Sequence, residues 1–191
     1  TENLDKMESQ ISKGRMRDIR LSLREGAEII EKPSWNQVAH FYEILSHLYQ
    51  KKIRLPLFGL EFFRQLYALD EALFLLVEYQ GQIIGGVVCV GLDNKAMYEW
   101  YACGINGIYD KVTATALATY AGMKYAALNH YPIFDMMGAG VPDKEYGVRT
   151  FKEKFGGKLV EEGRFLCVTK PKRFIIGKLG VAFIRRFGFF H

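Results

Sequence analysis

With 191 residues, the chain is long enough to fold as one domain with a full core, without disulfides or structural metals. Apolar residues make up 49% of it and charged residues 25%, a balance typical of soluble globular proteins. The three cysteines, Cys89, Cys103 and Cys167, are odd in number and widely spaced. They argue against a zinc site or a disulfide framework and favour a reducing, cytoplasmic compartment.

The net charge of +5 is concentrated toward the C-terminal end. Residues 171–191 hold five basic residues and no acidic residue, so the charges of the remaining chain balance. This distribution argues against a basic nucleic-acid-binding surface on the body of the protein. The sequence predicts neither a secretory signal nor a membrane-spanning segment.

The first predicted element is a helix over residues 4–25, whose apolar residues recur at helical spacing: Ile11, Met16, Ile19 and Leu23. We interpret the other side as a solvated face, with contact to a phosphate as the alternative; it carries Ser12, Arg15, Arg17, Arg20 and Arg24. Residues 27–31 predict a strand. A second helix begins after Ser34, a residue type that caps helices, and a third helix is predicted over residues 60–69.

Three strands are predicted next, over residues 72–79, 83–92 and 96–103. The short turns between them predict an antiparallel meander. Alternation in the third strand places Tyr98, Trp100 and Ala102 on one face and Met97, Glu99 and Tyr101 on the other. Glu99 is a candidate general base, and an exposed carboxylate at the sheet edge is the alternative.

A helix is predicted over residues 112–129, with Asp110 as its cap. The backbone amides at the start of such a helix form a potential anion-binding site. The preceding turn contains Gly104, Asn106, Gly107 and Tyr109.

Residues 134–157 carry the most informative pattern in the chain. A short strand over residues 133–137 leads into a loop rich in glycine and proline (Gly138, Gly140, Pro142, Gly147) and then into a short helix. Phe151 and Phe155 share one face of that helix, and Gly156 is placed for a left-handed C-cap. The amine of Lys152 can therefore reach the loop and bind an anionic group there; a packed element with an exposed lysine is the alternative.

After a closing strand over residues 158–169, the tail 171–191 predicts a basic amphipathic helix. Its apolar face carries Ile176, Leu179, Phe183 and Phe187, whereas Lys178 and Arg185 lie opposite. The pattern is typical of a helix that lies on an anionic membrane surface. Docking on another part of a longer protein or on a dimer partner is an equal alternative.

The string GVRTFKEKFG at 147–156, preceded by an aspartate-ended strand and Gly138-Ala-Gly140, resembles the G-x-x-x-F-K-x-x-F-G signature of the Fem family. Fem proteins are aminoacyltransferases that build peptidoglycan cross-bridges, on a fold similar to that of the GCN5-related N-acetyltransferases. The match extends upstream to Tyr98 and, more weakly, to about Arg15. Fem proteins usually have two acyltransferase-like halves, and this chain resembles the second, so a first half is an expected partner.

The resemblance implies an α/β (α+β) fold with a mixed sheet and flanking helices, as one acyltransferase-like domain over residues 1–170. It implies aminoacyl transfer from aminoacyl-tRNA to an amine of a peptidoglycan or cell-envelope precursor, at the inner face of the membrane. Lys152 would supply positive charge at the oxyanion or at a nearby phosphate. The expected substrate-binding residues are Tyr98, Trp100, Tyr101, Asn106, Tyr109, Asp135, Gly138, Gly140, Arg149 and Phe151.

Acyl-CoA-dependent N-acetylation is the alternative activity on the same fold. Acetyl-CoA enzymes of this fold carry an Arg/Gln-x-x-Gly-x-Gly/Ala loop for the pyrophosphate. Gly104-x-x-Gly107 matches it in part, without the leading Arg/Gln and the last small residue. A catalytically inert binding or membrane-associated module is a third interpretation. No metal and no cofactor beyond the acyl donor is expected, and no Ser-His-Asp or Cys-His arrangement indicates a covalent intermediate.

Overall fold

The computed structural model describes residues 2–93, 95–140, 145–161 and 166–187. The helices are α1 (Glu2–Gln10), α2 (Lys13–Arg24), α3 (Trp35–Leu48), α4 (Leu60–Tyr67), α5 (Ala114–Leu128), α6 (Gly147–Glu153) and α7 (Pro171–Phe187). The strands are β1 (Glu28–Ile30), β2 (Ala72–Tyr79), β3 (Gln82–Leu92), β4 (Ala96–Gly104) and β5 (Phe134–Asp135). A π-helical turn, Tyr49–Ile53, continues α3.

The five strands form one sheet in chain order. Strands β1 to β4 are antiparallel neighbours, and β5 lies parallel to β4. The predicted meander is therefore confirmed. Its first turn holds Gln80 and Gly81, both with positive φ (53° and 73°), which is the backbone shape that a two-residue hairpin turn requires.

Two apolar cores cover the two faces of the sheet. On one face, α1, α2 and α5 pack against the sheet together with Phe155, which follows α6. On the other face, α3 and α4 bury a cluster that is rich in aromatic side chains. Gly86 lies between the layers, where a Cβ atom would come within 3.0 Å of the Phe41 ring, so glycine allows α3 to approach the sheet closely.

The predicted helix over residues 4–25 is two helices, because the chain turns at Ile11 and Ser12. Ser12 caps α2 by accepting a hydrogen bond from the Arg15 amide (3.3 Å), and Ile11 is buried. Leu23 was expected in the apolar stripe but is 42% exposed. Helical spacing cannot reveal this break, because the apolar residues on its two sides still face the same core.

The predicted cap of α3 is confirmed: Ser34 and Gln37 form a reciprocal capping box. The predicted cap of α5 is wrong, since Thr113 rather than Asp110 occupies the N-cap position. The predicted strand over residues 133–137 is reduced to Phe134–Asp135.

The predicted closing strand over residues 158–169 is absent from the described part of that range, 158–161 and 166–169; residues 162–165 lie outside the described residues. Helix α7 forms as predicted, with exposed apolar side chains that include Ile176 and Leu179. The side chains of Arg185 and Phe187 and residues 188–191 lie outside the described residues. Within the described part of the chain, no helix is long and apolar enough to cross a membrane.

Candidate active site

Strands β4 and β5 separate after a very short pairing. β5 pairs with β4 only through Met97 and Tyr98, whereas β4 continues along β3 as far as Gly104. From Glu99 onward, no described strand is paired with this edge of β4. The resulting fork opens between β4, the end of β5 and the loop that leads to α6.

A β-bulge in β4 changes which side chains face the fork. The pairing with β3 skips Trp100, so that Cys89 lies opposite Glu99 and Val88 lies opposite Tyr101. Glu99 therefore points toward α5, whereas Tyr101 packs on the α3–α4 side. The predicted placement of Glu99 and Tyr101 on one face is wrong, because simple alternation assumes a regular strand.

Glu99 is a buried carboxyl group at the fork, with 6% of its surface exposed. The Thr119 hydroxyl of α5 donates a 2.7 Å hydrogen bond to its Oε1 atom. Burial raises the pKa of Glu99 to about 7, against the opposing effects of the Thr119 hydrogen bond and the Lys152 charge. The alternative of an exposed edge carboxylate is thus wrong, and a carboxyl that titrates near neutrality can both accept and donate a proton.

Lys152 of α6 is bound to the loop after β5. Its Nζ donates to the carbonyl oxygens of Met136, Met137 (3.3 Å) and Gly138 (2.8 Å), which occupies all three donors of the ammonium group. Burial lowers the pKa of Lys152, and the charges of Glu99 and Asp135 oppose that shift. The lysine is half-buried, so the alternative of an exposed lysine is wrong.

Asp135 and Arg149 shape the same loop. The Asp135 carboxylate accepts a 2.6 Å hydrogen bond from the Met137 amide, and Arg149 Nε donates to the carbonyl of Ala139 (3.1 Å). Gly140 has a positive φ of 76°, and the Tyr146 ring lies 2.6 Å from where its Cβ would be. Gly138, by contrast, has open space beside it. Pro142 lies outside the described residues.

The aromatic face of α6 is packed rather than open to a ligand. The Phe151 and Phe155 rings are 5.2 Å apart, and the Arg15 guanidinium lies over both, at 4.7 Å and 5.2 Å from their centroids. Sequence reasoning placed Arg15 among several solvated arginines and missed this contact. No local signal distinguishes it from Arg17 or Arg20.

The start of α5 is capped by side chains from two other segments. The Asn106 amide accepts from the Thr115 amide (3.3 Å) and donates to the Thr115 hydroxyl (2.7 Å), while the Thr113 amide donates to Ser22 Oγ (3.0 Å). By helix geometry, the amides of Ala114 and Ala116 are left without intrahelical acceptors. Ala114 and Ala116 are themselves buried (0% and 1% exposed), so their amides do not face open solvent.

The two glycines before α5 differ. At Gly104 a Cβ would lie 2.6 Å from the Thr115 amide nitrogen, so glycine allows β4 and α5 to meet closely. Gly107 has a positive φ of 83° and open space around it. Gly107, rather than Gly104, is accessible to a ligand.

The remaining predicted site residues divide into two groups. Tyr98 pairs in register with Asp135, and Trp100 is 42% exposed beside the fork. Tyr109 packs edge-on against Tyr79, and Tyr101 contacts Phe63 on the α3–α4 face. The structure thus brings Lys152, Asp135, Gly138, Tyr98 and Trp100 to the fork and places Tyr101 and Tyr109 in packing contacts.

Two further features bear on ligand binding. A groove of about 490 Å³ lies along α1 and α2, apart from the fork; it is lined by Glu8, Ser9, Ile11, Lys13, Met16, Arg17, Arg20, Leu21 and Arg24. Across the described ranges, no three His, Cys, Asp or Glu side chains lie close enough to hold a metal ion.

Several solved structures share this architecture. An aminoglycoside acetyltransferase from an uncultured soil metagenomic sample superposes with a TM-score of 0.57 at 11% identity, over 75% of this chain and 95% of its own. AAC(6')-Iy, solved with the bisubstrate analog CoA-S-monomethyl-acetylneamine, superposes with a TM-score of 0.58 at 8% identity. The match covers 75% of this chain and 99% of AAC(6')-Iy. Ribosomal-protein-alanine N-acetyltransferase from Brucella melitensis biovar Abortus 2308 superposes with a TM-score of 0.53 at 15% identity. The match covers 76% of this chain and 100% of that enzyme.

The chain has the fold of the GCN5-related N-acetyltransferases. The predicted α/β fold with a mixed sheet and flanking helices is thus confirmed. At identities of 8–15%, these likenesses to the acetyltransferase fold show the architecture alone. No protein-family model matches the sequence, and no curated protein matches it. Membership of the Fem family remains a prediction.

Proposed function

We propose that this protein is an N-acyltransferase that transfers an acyl group from acyl-CoA to an amine. The observation that carries the proposal is Glu99, a buried carboxyl with a pKa of about 7 at the point where β4 leaves β5. The acetyltransferase fold supports the reaction class. Among the neighbours, AAC(6')-Iy was solved with an analog that contains CoA.

In the proposed reaction, Glu99 accepts the proton that the attacking amine must lose. The amine nitrogen forms a bond to the acyl carbonyl carbon, the carbon–sulfur bond breaks, and the sulfur leaves as a thiolate. The proton that Glu99 accepted then passes to this thiolate, which gives the free thiol and regenerates the Glu99 carboxylate. Near neutral pH, Glu99 is divided between its two protonation states, which suits it to accepting a proton in each turnover. The Lys152 charge keeps part of Glu99 ionised, because it lowers the pKa of that carboxyl.

Lys152 is proposed to hold the loop 136–138 in the shape that the acyl group meets. Its Nζ contacts three consecutive carbonyl oxygens. Removing the lysine amine would therefore leave all three carbonyls without this hydrogen-bond donor. Stabilisation of the oxyanion by Lys152, which the Fem resemblance implies, would require the amine to leave at least one of these carbonyls.

The donor phosphates are proposed to bind at the start of α5. Gly107, in the turn before α5, has open space around it that leaves room for a phosphate, and the positive end of the helix dipole favours an anion there. The helix amides themselves contribute little, because those of Thr113 and Thr115 donate to Ser22 and Asn106, and Ala114 and Ala116 are buried.

Aminoacyl transfer to a peptidoglycan or cell-envelope amine is the second candidate. Two observations favour it. The Phe-Lys-x-x-Phe-Gly segment is assembled with Lys152 on the loop after β5, and the α5 amides that a CoA pyrophosphate would use are partly occupied. In this case an aminoacyl-tRNA would replace acyl-CoA as the donor, and Glu99 would keep its role as the base.

The test is a binding and turnover experiment with acetyl-CoA on wild type, Glu99→Gln and the control Glu153→Gln, which changes an exposed carboxylate of α6. We expect all three proteins to bind acetyl-CoA. Glu99→Gln should acetylate a panel of primary amines about 10²–10⁴-fold more slowly than wild type, as expected for loss of a general base.

The outcomes separate the two candidates. Binding of aminoacyl-tRNA without binding of acetyl-CoA would favour the second one. Full acetylation by Glu99→Gln would exclude Glu99 as the base while leaving the activity established. Binding of neither donor would contradict both.

A further inference from the structure

The turn between α1 and α2 is joined to the segment that carries Lys152. The Ser12 amide donates a 2.9 Å hydrogen bond to the carbonyl of Lys154. Two residues later, Gly156 has a φ of 82°, and a Cβ there would lie 2.7 Å from the Gln10 carbonyl oxygen. Residues 10–12 and 154–156 therefore meet backbone to backbone.

Arg15 adds a side-chain contact to this junction. Its guanidinium lies over the rings of Phe151 and Phe155, and its Nε atom is buried without a hydrogen-bond partner. A buried donor without an acceptor is costly, so the two ring faces are what compensates the charge at this position. Phe155 is 1% exposed, so surrounding side chains leave its ring little room to move away from the guanidinium.

Helix α6 depends on such contacts for its orientation. It has seven residues, and no side chain caps its N-terminus. A helix this short has little stability of its own, so tertiary contacts must set its rotation. Because Lys152 directly follows Phe151, a rotation that moves the Phe151 ring also moves the Lys152 amine relative to the carbonyls of loop 136–138.

We infer that Arg15 is a positioning residue for Lys152. The guanidinium fixes the two phenylalanine rings, the rings fix the rotation of α6, and α6 holds the Lys152 amine on the loop after β5. α2 itself is anchored, since Met16 and Ile19 next to Arg15 in the helix are buried. A loss of catalysis on changing Arg15 rests on the proposed function. The change in the position of the Lys152 amine does not.

The experiment measures how fast an N-hydroxysuccinimide ester of acetic acid modifies Lys152, by peptide mass spectrometry. Lys154, exposed on the same segment, is the internal reference. The variants are Arg15→Met, Arg15→Lys and the control Arg17→Met. The Arg17 side chain is 79% exposed and pairs with its neighbour Asp18.

For Arg15→Met, we expect the Lys152-to-Lys154 modification ratio to rise about two- to tenfold, the range that loss of a partly desolvated cation–π contact corresponds to. Arg15→Lys keeps the charge but loses the planar group and should give a smaller rise. Arg17→Met should leave the ratio unchanged. An unchanged ratio in both Arg15 variants would overturn the inference.

General unfolding is distinguished by the buried thiols of Cys89 and Cys103. If Arg15→Met made these thiols reactive as well, Arg15→Lys with protected thiols would decide the question. In the acetyl-transfer assay, a positioning role predicts a lower kcat with an unchanged KM for the acyl donor. A raised modification ratio without acyl transfer in any of the proteins would reject the proposed function and retain the role of Arg15.

Discussion

The two faces of the sheet are built from different side chains. Among the described residues, the buried polar side chains Ser22, Glu99 and Thr119 all lie on the face covered by α1, α2 and α5. The face under α3 and α4 instead holds aromatic rings in mutual contact around Phe63. The aromatic face supplies stability, whereas the polar face gives up some stability to keep a titratable carboxyl away from water.

The largest expected effect is on the aromatic face. Phe63 is fully buried and its ring contacts Tyr42, Phe62 and Tyr101, so Phe63→Ala should lower the free energy of unfolding by about 3–5 kcal/mol. Urea denaturation measures this. The acyl-transfer rate per folded molecule should stay near that of wild type, and a large loss of that rate would show that the two faces are not independent.

On the polar face, Glu99→Gln should raise stability at high pH. The pKa of Glu99 is about 7 in the folded protein against an ordinary value of 4.5, so the folded state binds the proton more tightly than the unfolded chain. The free energy of unfolding of the wild type should therefore fall by about 3 kcal/mol as the pH rises from 4.5 through 7, because each unit of pKa difference corresponds to about 1.4 kcal/mol. Denaturation at pH 5 and pH 8 tests this. The free energy of unfolding of Glu99→Gln should not show this fall, and an equal fall in both proteins would contradict the burial of a titrating Glu99.

A smaller effect is expected where the polar face meets α6. Gly156→Ala forces an alanine into a left-handed conformation against the Gln10 carbonyl and should cost about 1–3 kcal/mol of unfolding free energy. Gly14→Ala is the matched control, because that helical glycine has an ordinary φ and nothing within 4 Å of its Cβ position. It should stabilise the protein by up to about 1 kcal/mol. Thermal unfolding of both variants measures the contrast, and equal shifts would contradict it.

The smallest expected effect concerns the hydrogen bond between α5 and Glu99. The Thr119 hydroxyl lowers the pKa of that carboxyl, so Thr119→Ala should raise it. The acid limb of the pH profile of acyl transfer should then move to higher pH, by up to about one unit. A profile that stays in place or moves to lower pH would show that another group controls the limb.

Much of the fold follows from local patterns in the sequence. The meander is specified by three apolar runs separated by short turns, and the start of α3 by the Ser34 cap. The division into α1 and α2 was not predictable from spacing, because Ile11 sits in phase with both. The loss of regular pairing at Trp100 was equally hidden, since a bulge depends on the neighbouring strand.

The candidate site was predicted in part. Lys152, Asp135 and Gly138 could be placed together because they are close in the sequence and joined by a turn. The burial of Glu99 depends on Thr119, which lies 20 residues away on another element. The one indication in the sequence is the Thr119 hydroxyl, a polar group in an otherwise alanine-rich helix. The contact of Arg15 with Phe151 joins the two ends of the domain, and no local pattern indicates it.

The short pairing of β5 has a mechanical consequence. Strand β3 is hydrogen-bonded along both of its edges, whereas β5 pairs with β4 over two residues, with the carbonyl of Ile133 just before it also accepting from the Met97 amide. Local opening costs least where the fewest hydrogen bonds must break, so we expect the β5 edge to open before the centre of the sheet, at the cost of unpacking Phe134 from the core. The loop that Lys152 holds would travel with it. The protein therefore combines a rigid frame with one strand that is held by fewer hydrogen bonds, and that strand borders the fork.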